Sequence, residues 1–121
     1  MIKETLKGAI SNLSKKYKIG AKEIRIKISK NGGNLVYDIM NKKDIVDTVT
    51  LAQALNLNAI QAFMVGNKLE HIFQKISNVN SVSQDSMNVR IYTIEDDCSP
   101  SFYLFDDKNA IRELKYEEIA D

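Results

Sequence analysis

The residue types that most often carry chemistry are scarce in this chain. There is one histidine, His71, and one cysteine, Cys98, far apart in the sequence. Zinc sites and Cys-His catalysis therefore lack ligands or partners. No Gly-x-Ser-x-Gly elbow, P-loop or dinucleotide fingerprint occurs. Asn31-Gly32-Gly33-Asn34 is a hairpin turn too short to cradle phosphate. Asp96-Asp97 and Asp106-Asp107 place paired acids at two turns. Oxygen ligands suit calcium or magnesium, but neither pair has the spacing of a calcium loop, and Asp is a preferred turn residue in its own right. The expectation is no metal, no cofactor and no enzyme: a protein that holds a ligand without changing it.

Arginine is more telling. Against fourteen lysines there are only Arg25, Arg90 and Arg112, each inside a predicted strand with aromatic or apolar neighbours. Guanidinium binds phosphate bidentately and stacks on rings, so sparing use of it in strands hints at specific pairing. The plain alternative is a stem covering apolar surface, or a pair with an acid such as Glu113 or Glu95. Arg90 stands two residues from Tyr92, on one face of one strand. Asn67-Lys68, read as a helix start, would add free backbone N–H groups and a positive helix end. Arg90, Tyr92, Arg112, Asn67 and Lys68 are thus the predicted ligand-binding residues. Phe102, Tyr103 and Phe105 could stack on a base, although strand aromatics are more often core. The ligand class that needs phosphate donors and a stacking surface together is a small phosphorylated nucleotide.

Several elements must position these residues. Ile2, Leu6, Ala9, Ile10, Leu13 and Tyr17 recur at helical spacing and predict an amphipathic first helix ending near Lys18 to Gly20. Ile24, Ile26 and Ile28 alternate with Arg25, Lys27 and Ser29, then Leu35, Tyr37 and Ile39 alternate again across Gly32-Gly33, which predicts a β-hairpin. Its outer face reads as basic from Arg25, Lys27 and Lys30. Ile45, Val46, Val49 and Leu51 suit a third strand, and Leu51 to Leu55 suits a short helix capped by Thr50 as well. Val65, Leu69, Ile72, Phe73 and Ile76 place a helix over Lys68 to Ser77. For 59–66 the alternation of Ile60, Ala62 and Met64 favours a strand entering that helix through Gly66-Asn67, with Asn67 as N-cap; one longer helix is the competing reading. Asn78 to Ser86 reads as a loop, Met87 to Glu95 as a strand, Asp96 to Ser101 as a turn and Phe102 to Phe105 as a short aromatic strand. Ala110 to Tyr116 closes a hairpin or forms a helix, the hairpin being favoured. Together these predict a single α+β domain over 1–121: an antiparallel sheet with an N-terminal and a central helix packed on one face.

Composition narrows the setting. At 121 residues, 44% apolar and 27% charged, the chain is long enough for a real core and has no run approaching a membrane span. Glu4 and regular charges break the apolar core that a secretory signal needs, and a lone cysteine suits a reducing compartment, so a cytoplasmic location is expected. Residues 1–43 carry eleven basic against three acidic groups, +8, whereas 44–121 carry six against thirteen, −7. Near-neutral totals argue against non-specific phosphate binding, so a nucleic-acid partner is not expected. The split also reads as solvated faces that the fold brings back together, and the first helix as a cover for its own sheet; read as complementary surfaces of neighbouring subunits and a docking face, the two predict a homo-oligomer.

The layout of N-terminal helix, hairpin, Gln61-Ala62-Phe63-Met64-Val65-Gly66 entering a helix, and the closing run Phe105-Asp106-Asp107-Lys108-Asn109-Ala110-Ile111-Arg112 resembles the phage Thoeris anti-defence proteins. The resemblance lies in overall length and element order. It implies an oligomeric sponge that sequesters a cyclic ADP-ribose-type nucleotide signal, some members of the family also holding cyclic oligonucleotides. None of the family's ligand residues is carried over to a position here. A protein-protein inhibitor or immunity module, and a small nucleic-acid-binding domain, are the other function classes the residues leave open.

Overall fold

The structure, a computed structural model, describes residues 2–42, 44–93, 100–106 and 109–114. Helix α1 (Ile2–Tyr17) buries Leu6, Ala9, Ile10 and Leu13 along the predicted stripe. It stops where Lys18 adopts φ 57°, with the Ser14 hydroxyl donating to the Ile19 carbonyl. A single 3₁₀ turn (Ala21–Glu23) leads into β1 (Ile24–Asn31) and β2 (Asn34–Asn41). Gly32 and Gly33 hold φ 61° and 85°, the pair of positive values that a two-residue hairpin turn requires. Strand β3 (Asp44–Val49) follows at the sheet edge. Helix α2 (Leu51–Leu55) begins with a capping box, in which Thr50 accepts from the Gln53 amide while the Gln53 side chain accepts from the Thr50 amide.

Helix α3 (Ala59–Asn80) corrects the expected strand at 59–66. A second capping box, between Asn58 and Gln61, starts the helix well before Gly66. Gly66 and Asn67 therefore lie within it. The apolar stripe Ala62, Val65, Leu69, Ile72, Phe73 and Ile76 continues through the whole helix, whereas the alternating Ile60 and Met64 face water. At the other end, Asn78, Val79 and Asn80, expected in a loop, are helical. The chain leaves through Ser81 at φ 54°, the Val82 amide donating to the Ser77 carbonyl and the Ser77 hydroxyl to the Val82 carbonyl.

Strands β4 (Met87–Thr93), β5 (Pro100–Asp106) and β6 (Asn109–Leu114) complete one antiparallel sheet of order β3-β2-β1-β4-β5-β6. Ala110 to Leu114 are thus strand, as the hairpin reading expected. Asp96-Asp97, Cys98, Asp107 and residues 115–119 lie outside the described residues. Ile24, Ile26 and Ile28 of β1, Tyr37 and Ile39 of β2, Val89 and Ile91 of β4 and Leu104 of β5 share one face of the sheet. That face forms the core with the three helices. Lys30 shares it too and pairs with Glu70 of α3, so it leaves the basic outer face assigned to it. The void between α3 and the sheet, lined by Ile28, Phe73, Val89 and Phe102, measures about 20 Å³, so this core is filled. Tyr17 donates a hydrogen bond to the Asp47 carboxylate, which ties the end of α1 to β3 and, with some help from burial, pushes the phenol up to about 12. No helix among the described residues is long and apolar enough to cross a membrane.

Candidate functional site

With the three helices on one face, the opposite face of the sheet carries the alternate residues of every strand. Cross-strand register arranges them in rows. One runs Met40, Arg25, Tyr92, Ser101; the next runs Asp38, Lys27, Arg90, Tyr103, Glu113; a third runs Val36, Ser29, Asn88, Phe105. Within them the cations and rings stack. The Arg25 guanidinium lies 4.5 Å from the centre of the Tyr92 ring, and Tyr92 meets Tyr103 at 4.9 Å. On the parallel diagonal Arg90 lies 4.0 Å from the centre of Phe105, its Nε donating to Asn88 Oδ1 at 3.0 Å. A guanidinium held flat on a ring keeps N–H groups at its edge, where a phosphate can accept them bidentately. Burial, then the negative charge of Glu113 and the neighbouring Tyr92, hold the Tyr103 phenol above its usual range, so it remains a neutral donor at physiological pH.

Lys27 and Arg90 stand directly opposite each other on β1 and β4. Like charges in register cost a sheet a few tenths to about 1 kcal/mol. An anion placed between them removes that repulsion.

The predicted site residues do not form one cluster. Arg90 and Tyr92 do share the outer face of β4, as their spacing expected. Arg112 pairs with the inward-facing Leu104 and so points to the helix side, where its Nε and a terminal nitrogen donate to Asn80 Oδ1 at 3.1 and 2.9 Å. The Asn80 amide in turn donates to the Ile76 carbonyl, so Arg112 braces the last turn of α3. Asn67 and Lys68 sit mid-helix on that same side of the sheet, without the free amides of a helix start. We therefore expect Arg112→Ala to cost about 1.5–3 kcal/mol of stability in urea unfolding while leaving ligand affinity unchanged. Loss of affinity without loss of stability would return Arg112 to the site.

Sequence reasoning noted Arg25 as a strand arginine and Tyr103 and Phe105 as rings that could stack, but left all three out of the predicted site. Arginine scarcity flagged the first and strand aromatics the others, but only the β1–β4 and β4–β5 registers bring them together. His71 is exposed on α3, as a lone helix histidine is expected to be. Among the described residues no three His, Cys, Asp or Glu side chains gather where they could hold a metal ion.

A second concavity lies on the helix side. It is an open cleft of about 430 Å³ between the β1–β2 turn and α3, lined by residues that include Asn34, Leu35, Tyr37, Leu51, Phe63 and Asn67. Burial, then the charge of Glu70, which also lines the cleft, push the Tyr37 phenol up to about 12. Compared with known proteins, the chain matches no family model, no curated protein and no solved structure.

Proposed function

We propose that the protein is a non-enzymatic binder of a phosphorylated nucleotide, which it holds on the outer face of its sheet. The observation that carries this is the paired ladder of Arg25 on Tyr92 on Tyr103 and Arg90 on Phe105, with Lys27 beside them. Stacking surface for a base and edge donors for phosphate stand within two strand positions of each other. The scarcity of nucleophile-base pairs in the sequence favours sequestration over turnover. In its finer form the proposal is a cytoplasmic phage anti-defence sponge for a cyclic ADP-ribose-type signal, the function that the resemblance in element order implies.

Small molecules released by heating protein from signalling cells should include an intact nucleotide by mass spectrometry. Calorimetry with purified protein should then show saturable binding of cyclic ADP-ribose isomers and no product on prolonged incubation. Absence of binding to any isomer removes the sponge reading, and steady turnover removes the non-enzymatic one. Because an open antiparallel sheet with stacked rings also suits single-stranded RNA, the same titration with short oligonucleotides is informative. A steep salt dependence there favours nucleic acid over the small ligand.

A further inference from the structure

Residues 48–67 contain no charged side chain, although a chain that is 27% charged would place about five in twenty residues. The run covers the end of β3, all of α2 and the first half of α3. Three of its side chains face water on one ridge of α3: Ile60, Phe63 and Met64, at 74, 70 and 65% exposure. Their i, i+3, i+4 spacing is continued by exposed Asn67 one turn on. Together the three apolar side chains put roughly 400 Å² into water, within the range of the largest patches on soluble monomers, which are often functional. They are not needed for the core, which is formed from the opposite stripe of the same helix.

We infer that this ridge is the contact between two copies of the chain, related by a two-fold axis, with Phe63 of each copy seated in the cleft of the other. The charge pattern selects this occupant. A residue near a two-fold axis meets its own copy, so any charge there meets the same charge, and an isologous contact must keep its centre neutral. A partner recognised by complementary charge finds none in these twenty residues. Shape agrees: the cleft flanks the ridge, has room for an aromatic ring, and offers Leu35, Tyr37 and Leu51 as walls, while its charged lining residue, Glu70, is paired with Lys30. The contact lies on the helix side of the sheet and leaves both outer faces open.

Native mass spectrometry and light scattering at micromolar concentration test this. The expected result is a dimer that persists in molar salt, because its contact is apolar, and that becomes monomeric in Phe63→Glu and Ile60→Glu. Both positions are exposed in the single chain, so unchanged far-ultraviolet circular dichroism is expected for the variants, and their melting temperature should lose the concentration dependence that a dimer confers. A monomer at that concentration overturns the inference. So does a dimer that survives both substitutions, or one that dissolves in salt, which would place the contact on the oppositely charged halves instead. None of these outcomes depends on nucleotide binding, which is measured separately on the Phe63→Glu monomer.

Discussion

A chain carrying both Arg25→Ala and Arg90→Ala is expected to lose two orders of magnitude or more in nucleotide affinity while remaining folded. Each arginine supplies a charge-assisted contact to phosphate, worth about 1.5–3 kcal/mol. The two guanidiniums stack on different rings, so their losses should add to about 3–6 kcal/mol, each 1.4 kcal/mol being tenfold. Their side chains are half-buried on the open face and outside the core, so the melting temperature should move by only a few degrees. Lys27→Gln removes the repulsion facing Arg90 together with the attraction to Asp38 on its other side, so stability should stay within a few tenths of a kcal/mol of wild type while affinity falls. Calorimetry beside urea unfolding reads both quantities, and wild-type binding by the double arginine variant would move the site off this face.

Phe73→Ala should be the most destabilising single change on α3, at about 3–5 kcal/mol. The ring is 2% exposed and lies between α3 and the sheet beside Ile28, Val89 and Phe102. The void there is no larger than about 20 Å³, so removing the phenyl group opens a cavity that four surrounding elements would have to close. For a domain with a total stability of about 5–15 kcal/mol, that is a large fraction. Gln74→Ala, on the same helix but in water and beyond the Ile60–Met64 ridge, should change urea unfolding by less than about 0.5 kcal/mol. A difference below about 1.5 kcal/mol between the two variants would mean that α3 does not anchor the core as described.

The hairpin was legible because Gly32-Gly33 meets a local demand: two positive φ angles between alternating strands, with no distant residue involved. The first helix was equally plain, since its stripe has one periodicity and one buried face. Residues 59–66 misled because the first half of α3 carries two apolar faces. Ile60 and Met64 face water and Ala62 and Val65 face the core, and superposed in sequence these stripes imitate a strand. Asn58 and Gln61, at capping-box spacing, were the signal that resolves it. In the candidate site, Arg90 and Tyr92 were legible as a pair because strand parity alone puts them on one face. Arg25 and Tyr103 were not, since their places beside Tyr92 follow from registers set by the whole core. Arg112 illustrates the limit of parity: its position in β6 fixes which residues share its face, but which face is inward depends on its pairing with Leu104, next to a register shift.

The sheet order has a kinetic consequence. Every neighbouring pair of strands is joined by a short connection except β1 and β4, which are separated by two strands and two helices. The β1–β2–β3 and β4–β5–β6 meanders can each form from local contacts, whereas the central seam must close a long loop before its pairing is rewarded. That seam is where Ile26 meets Ile91 on the inner side, and where Arg25 meets Tyr92 and Lys27 meets Arg90 on the outer. A ligand gripped by residues of both strands therefore acts as a clasp across the joint between two meanders. Bound nucleotide would slow the parting of the halves, and the lifetime of the folded chain would lengthen with occupancy.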